Sequence, residues 1–446
     1  MSNNFELAKT FFEQGEANFA KQDFINAEKN FQTSLNLLPN RTSTLINLGL
    51  TKIKLRKINE CEDIINTIER DGKNSNNIDF LNLKSLFFGE TNNFKRADKV
   101  LDLMLSNFNE LGQKRLSEIY SYKGIAYSQL GNHKESILFQ KKAIETDQKN
   151  VLAKFNYGIQ NLKIANFDEG WRYYEYRIDK NNLPKLNYPK SISELKSKKI
   201  LIKSEQGFGD MIQFSRFIKL IEDCTDEIDF LIPKGLAGLF NFNKTKTIFK
   251  KEKNYDFEIY LCSIPYLFRI NEKNILELSY DNFQISNKKR LSKKNSKIKI
   301  GLTWSGKVSH SYDYLRSFSL KELEPLLTDN SYEFYCLQKD IRNEDLTYLN
   351  KSNIINIGNL SFSEISKKII DLDLVLSSCT SLLHLSSSLN VNTWAMLPFS
   401  SDWRWILNRK TSPWYKNLKI YQKNENDSWN DLIIKIKSDL KKEFKI

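Results

Sequence analysis

The sequence has no C-x-x-C pair: its five cysteines, Cys61, Cys224, Cys262, Cys336 and Cys379, are odd in number and scattered. That argues against a disulfide framework or a structural zinc site and for a reducing compartment. No apolar run approaches the ~20 residues of a membrane span. The N-terminus MSNNFELAKTFFEQGEANFA mixes acids into its apolar positions and shows no signal-peptide core. The expectation is a cytoplasmic protein without a transmembrane segment. Arginine-rich tracts and long basic runs are also missing, although the formal net charge is +14. The charge suggests an anionic partner, and the lack of a basic stripe argues against nucleic acid.

What is present is ample for real cores: 40% of the 446 residues are hydrophobic and 12% aromatic, enough for two or three domains. The N-terminal third carries a repeat. Gly15 and Ala27 are 12 residues apart, as are Gly49 and Cys61, Gly124 and Ser136, and Gly158 and Gly170. Gly15 to Gly49 and Gly124 to Gly158 are each 34 residues. Between them, Ile78 to Asn109 fits with a shifted register in which Leu83 replaces the glycine. Small residues at these places let two helices of a hairpin approach closely, and a 34-residue period resembles the tetratricopeptide repeat. The resemblance implies an α superhelix over residues 1–178 with a groove for a peptide or protein partner. The repeats end in FDEGWRYYEYRI (Phe167–Ile178), whose aromatics predict a helix packed against the next domain, and residues 179–198 form a linker.

From Lys199 the pattern changes to strand, polar loop, helix. Ile200 to Ile202 runs into Glu205-Gln206-Gly207-Phe208-Gly209-Asp210, and an amphipathic helix is expected from Met211. The glycines allow a tight turn and close approach of a ligand to unpaired helix N–H groups. The loop lacks the third glycine of the dinucleotide fingerprint and the G-K-[ST] of a P-loop. After a lysine-rich linker, 287–297, a second half starts over at Lys299–Trp304. Its last unit, Asp371–Pro398, places Ser377-Ser378-Cys379-Thr380-Ser381 between a strand and a short helix, where parallel sheets bind ligands. Asp371 and Asp373 form a D-x-D, but they precede a buried strand, so they are expected to cap or face solvent, with no metal.

In order along the chain, EQGFGDMIQFSRF, LCSIP, GLTWSGKVSHSYDYLRSFSL, LQKD, IIDLDLVLSSCTSLLHL and SDWRWIL…SPWY resemble the motifs of bacterial tetratricopeptide-repeat glycosyltransferases. Their catalytic part is similar to the heptosyltransferase-like family (glycosyltransferase family 9-like) with a GT-B fold. The resemblance implies two Rossmann-like domains facing a cleft, 199–286 on the acceptor side and 298–446, with a C-terminal helix, on the nucleotide-sugar side. It implies an inverting, metal-independent transferase with no cofactor, taking a nucleotide-sugar donor and a protein, peptide or saccharide acceptor. The family's catalytic carboxylate falls on Asp210, which could equally be a helix cap. Gly207 and Gly209 line the first loop, and the loop after Trp304 offers Ser305, Lys307, His310, Arg316 and Ser317, two hydroxyls and two cations suited to a diphosphate. Arg316-Ser317 match the family motif, and Thr380, Ser381 and His384 fall on its aspartate-threonine-x-x-x-histidine pattern; His310 could equally be an exposed loop histidine and His384 a buried core residue. More distant candidates are Gln206, Trp304, Gln338, Trp403 and Arg404. Trp405 and Trp414 read as a brace between the halves. Cys379 stands where the family has aspartate, which leaves the ordering of that loop open. The competing expectation is an interaction scaffold whose transferase part binds nucleotide without reacting.

Overall fold

Each helical hairpin of the N-terminal region turns on a residue with left-handed backbone: Gln22, Arg56, Asn92 and Gly131, with φ of 61°, 61°, 59° and 80°. They join α1 (Ser2–Ala20) to α2 (Phe24–Leu37), α3 (Thr42–Lys54) to α4 (Ile58–Arg70), α5 (Ile78–Glu90) to α6 (Phe94–Asn107), and α7 (Gln113–Gln129) to α8 (His133–Thr146). These come from a computed structural model, which describes residues 2–72, 76–107, 111–278, 280, 282–284, 297–308 and 313–445. The chain divides into two compact units, Met1–Tyr157 and Gly158–Ile446.

In the first unit the small-residue pattern sits at the helix crossings. Ala27, Cys61 and Ser136 are wholly buried, and the Ser136 hydroxyl donates to the Gly124 carbonyl at 2.7 Å. A methyl on Gly15 would meet the Phe31 ring at 2.5 Å, and one on Gly49 would meet Leu83 at 2.7 Å. The leucine that breaks the glycine pattern is therefore the side chain that fills the space over the preceding repeat's glycine. Consecutive hairpins bury one continuous core from Ala27 to Ile119, as stacked repeats must.

The second unit opens with helical residues. Its α10 (Phe167–Tyr174), which follows α9 (Val151–Lys163), packs as the aromatic run predicts. Trp171 lies 6.1, 5.5 and 6.4 Å from the rings of Phe214, Trp403 and Trp414, and its indole donates to the Ile270 carbonyl at 2.7 Å. The division at Tyr157 thus comes before the expected array end at 178, because these aromatics belong to the α/β core.

Two parallel sheets follow. The first has the order β3-β2-β1-β4 and the second β10-β9-β8-β5-β6-β7. The strands are β1 (Lys199–Lys203), β2 (Glu227–Leu231), β3 (Thr245–Ile248), β4 (Phe257–Tyr260), β5 (Ile298–Thr303), β6 (Tyr332–Cys336), β7 (Ile355–Asn356), β8 (Leu374–Ser378), β9 (Thr393–Leu397) and β10 (Leu418–Gln422). Counted from its first strand, the second sheet runs 6-5-4-1-2-3, the doubly wound order, and the first runs 3-2-1-4. Each order reverses beside its first strand, at β1/β4 and at β5/β8.

The same clamp opens both halves. Asp256 exchanges its N–H and carboxylate with Lys199 at 2.9 and 2.8 Å. Asp373 does so with Lys299 at 2.9 and 2.8 Å. Asp373 is thereby committed to strand alignment. The C-terminal helix, Trp429–Phe444, buries Leu432, Ile433, Ile436 and Leu440 in the core of the second sheet. The apolar stripe at i, i+1, i+4 and i+8 holds it there. The brace between the halves is a loop, Asp402–Tyr415.

Among the described residues no helix is long and apolar enough to cross a membrane. The linker expected at 287–297 lies outside the described residues except for Lys297.

Candidate functional site

At the β1/β4 switch the crevice is filled from within. Arg177 is 0% exposed. It donates to Glu205 at 2.8 Å, Ser263 at 2.7 Å and Glu175 at 2.6 Å, and the Cys262 N–H donates to the same Glu205 oxygen at 3.2 Å. The other Glu205 oxygen is buried without a partner. Burial raises the Glu205 carboxyl, and the Arg177 charge only partly offsets that rise.

Beyond Glu205 the loop enters the helix Phe208–Phe214, which starts three residues before the expected Met211 because Gly207 is its N-cap. Neither glycine needs left-handed backbone: φ of Gly207 is −71°, and positive φ among glycines occurs elsewhere. Gly209 is required by proximity, since a methyl there would meet His384 at 3.0 Å and Ser381 at 3.4 Å. Asp210 accepts the Gly207 N–H at 3.0 Å, so the expected cap is real. Its second oxygen is ion-paired with Arg404. Arg404 also donates to Gln213 at 2.8 Å and Asp402 at 2.7 Å. Burial opposes the guanidinium charge, but Asp402 and Asp210 outweigh it and hold the pKa high. Each nitrogen of the Arg404 guanidinium thus has a partner among its own neighbours. Trp403 lies among Trp171, Tyr174, Phe214 and Trp414, in an aromatic core.

At the β5/β8 switch the surroundings are polar. Thr380 is the N-cap of the helix Ser381–Ser388, yet its side chain makes no cap hydrogen bond. Its hydroxyl faces Ser377 at 3.3 Å and Thr303 at 3.4 Å. The Leu383 N–H donates to the Thr380 carbonyl at 3.1 Å, which leaves the N–H groups of Ser381 and Leu382 for another acceptor. Beside it Ser305 is 1% exposed and its hydroxyl has no partner. The Gln338 carboxamide holds this loop, accepting from the N–H groups of Trp304 and Ser305 at 3.2 and 3.1 Å and donating to the Ser305 carbonyl at 2.6 Å. Arg316 donates to the Cys379 carbonyl at 2.8 Å, which joins the two loops.

Several expected ligand contacts have other work. Ser317 accepts the Gly306 N–H at 2.9 Å and donates to Asp313 at 2.8 Å, shaping the loop. Trp304 is wholly buried, and its indole donates to Asp345 at 2.7 Å. Lys307 is exposed and Gln206 half-buried. His310 lies outside the described residues. Cys379 finds its explanation in Trp405, whose indole N–H donates to the sulfur at 3.4 Å; burial pushes that thiol upward. The network also includes Asp313, Arg342, Asp402, Gln213 and Arg177, none of which the sequence reading singled out. Asp313, Gln213 and Asp402 stand inside the motif stretches and Arg342 lies two residues past LQKD, so the signal available was a polar or charged side chain in or near a motif.

His384 is 5% exposed, stacks on Trp405 at 5.5 Å and shares a 2.8 Å hydrogen bond with the Tyr415 hydroxyl. Burial, then the charges of Arg404 and Arg316, lower its pKa from 6.5 to about 3, so the imidazole is neutral. The unfolded chain binds a proton near pH 6.5 that the folded one refuses until about 3. Stability from this residue is therefore full above 6.5 and is lost as pH falls, at about 1.4 kcal/mol per pH unit. His384→Gln should flatten the pH dependence of the denaturation midpoint between pH 6.5 and 5. An unchanged slope would refute the assignment.

The second unit is thus an α/β assembly of two parallel sheets with one polar switch-point crevice, and the first unit is a helical repeat array. The tetratricopeptide repeat family matches residues 117–150, the α7–α8 hairpin. Among solved structures, a tetratricopeptide repeat protein from Parabacteroides merdae is 21% identical over 40% of this chain and 68% of its own, with a TM-score of 0.30. A thermophilic repeat protein from Thermus thermophilus is 16% identical over 39% and 90%, with a TM-score of 0.34. Yeast Tom70 is 22% identical over 40% and 37%, with a TM-score of 0.32. At these scores the structural similarities carry no weight for function. No curated protein is similar enough to count as a relative.

Proposed function

We propose that the Gly158–Ile446 unit is a glycosyltransferase of the GT-B, heptosyltransferase-like kind, moving a sugar from a nucleotide-sugar donor to an acceptor hydroxyl in the cytoplasm. The repeat array recruits or orients the acceptor or a protein that carries it. One observation supports this above the others: an uncapped helix start at Thr380–Ser381, the unpartnered Ser305 hydroxyl and Arg316 lie at the β5/β8 switch point, and the helix bearing Asp210 packs against that helix start through Gly209. Backbone N–H groups and a guanidinium are the donors a departing diphosphate needs. In the reaction the Asp210 carboxylate takes the proton of the acceptor hydroxyl. That oxygen forms a bond to the anomeric carbon as the carbon–oxygen bond to the diphosphate breaks, and the nucleoside diphosphate leaves with the electron pair. Attack opposite the leaving group inverts the centre. This chain's own residues supply the proton transfer and the charge stabilisation, and no metal is invoked.

A second reading, a repeat scaffold that binds nucleotide without turnover, is favoured by the engagement of both Asp210 oxygens. Thermal-shift measurements on the full chain with a panel of nucleoside diphosphates and nucleotide-sugars test both readings. At least one is expected to raise the tryptophan-reported midpoint, by ~2–3 kcal/mol of stabilisation at a hundredfold excess over its Kd. If none does, the donor site is lost and with it the transferase.

A further inference from the structure

The polar crevice holds a second arginine that neither the sequence motifs nor the proposed mechanism uses. Asp313, 4% exposed, is the hub. Arg342 donates to one of its oxygens at 2.6 Å, and Arg316 approaches the other at 3.4 Å. Arg342 lies two residues beyond the Gln338–Asp340 segment, which is clamped to the Ser305 loop by the Gln338 carboxamide. The clamp delivers Arg342 to the same place as Arg316, from a different strand.

The hydrogen bonds show what is left over. Arg342 Nε is buried and has no partner. Arg316 spends Nε on Asp313 and Nη1 on the Cys379 carbonyl, while its remaining nitrogen lies against Gly306, where a methyl would collide with it. Both arginine side chains are partly exposed, at 21% and 29%, although Arg342 Nε itself is buried. Lys307 adds a third cation on the same loop. Arg316, Arg342 and Lys307 thus set three cations along one edge of the crevice, and Asp313 pairs with both arginines.

We propose that Arg342 is a second anion-binding residue of this crevice, acting with Arg316 to bind a diphosphate and to select it over a monophosphate. The proposal rests on the nucleotide-sugar reading for its biological ligand, but its chemistry stands on the two arginines alone. A planar guanidinium presents two parallel N–H groups to phosphate oxygens, and two such forks sharing one carboxylate suit two adjacent phosphoryl groups.

Isothermal titration of the full chain with inorganic pyrophosphate and with orthophosphate tests it without any choice of nucleoside. Pyrophosphate is expected to bind at least ~10-fold more tightly than orthophosphate. Arg342→Gln is expected to lower pyrophosphate affinity ~10-fold or more, to change orthophosphate affinity by less than ~3-fold, and to leave the far-ultraviolet spectrum unchanged. Arg342→Lys should recover only part of the loss, because an ammonium keeps the charge without the fork. It also serves as the test if the glutamine variant fails to fold. Equal affinity of wild type and variant for pyrophosphate would overturn the proposal, as would no pyrophosphate binding by the wild type. If pyrophosphate binding depends on Arg342 and no nucleotide binds, the anion site stands and the glycosyltransferase reading falls. A nucleoside diphosphate bound equally by both proteins gives the reverse result.

Discussion

Replacing Arg177 with methionine is expected to destabilise the Gly158–Ile446 unit by ~3–5 kcal/mol, the cost of leaving a buried charge without its partner. Arg177 has no solvent exposure and its guanidinium is shared by Glu175, Glu205 and Ser263. Glu205 is the residue most affected, because one of its oxygens is already buried and unpartnered. Its carboxyl is raised by burial even with the arginine present. Without Arg177 the folded-state pKa rises further above the unfolded value. Stability in the variant should therefore fall as pH rises above the usual glutamate range, so the variant loses more at pH 8 than at pH 5. Adding Glu205→Gln should restore part of the loss and remove the new pH dependence. The readout is clean: all seven tryptophans, from Trp171 to Trp429, lie in the second unit, so their fluorescence in a denaturant titration reports that unit alone. A loss below ~1 kcal/mol would mean that the network is better solvated than its burial implies.

Asp210→Asn is expected to cut turnover by ~10²–10⁴-fold, the span that a positioned general base contributes, while the nucleotide-induced shift in the unfolding midpoint remains. The structure makes this a demanding test. Asp210 accepts from Gly207 through one oxygen and pairs with Arg404 through the other. An asparagine amide must then turn its NH2 towards a donor on one side or the other. If turnover and nucleotide binding are lost together, Asp210 is a tether between the two halves and not the base. Retained turnover would remove it from the mechanism. Arg404→Gln separates the roles further. A tether loses stability in that variant, whereas a positioned base loses turnover first, because the guanidinium that orients its second oxygen is gone.

How far the sequence could be read depended on how locally each feature is written. The repeat array was legible because the helix crossings demand small residues at a fixed period, and Ala27, Cys61 and Ser136 are buried at those crossings. The stretches around β1, β5 and β8 were legible as apolar runs ending in polar loops. The short edge strands β3 and β7, TKTI and IN, were not, because they have little buried surface to declare in their composition. Motif order pointed to Thr380, Ser305 and Arg316, which the fold brings to one switch point, while nothing in the motifs pointed to Asp313 and Arg342 beside them. Their 29-residue separation is bridged only when β5 and β6 pair in parallel. Trp304 and Ser317 stand in the same motif, and the fold gives them Asp345 and Gly306 as partners. A hydroxyl or an indole in a motif does not reveal whether a buried acceptor or donor already claims it. The oddest residue of the reading, Cys379, proved to be the acceptor for an indole 26 positions further on.

The matching aspartate clamps at Lys199 and Lys299 make the two halves copies of one building plan, each with a crevice at the same point of its sheet. Arg177 stops up the first crevice, and the second is left lined with unclaimed donors. A symmetric scaffold used this way is open at one switch point and closed at the other. Nucleotide titrations of this chain should therefore saturate at a single equivalent, however closely the halves resemble each other.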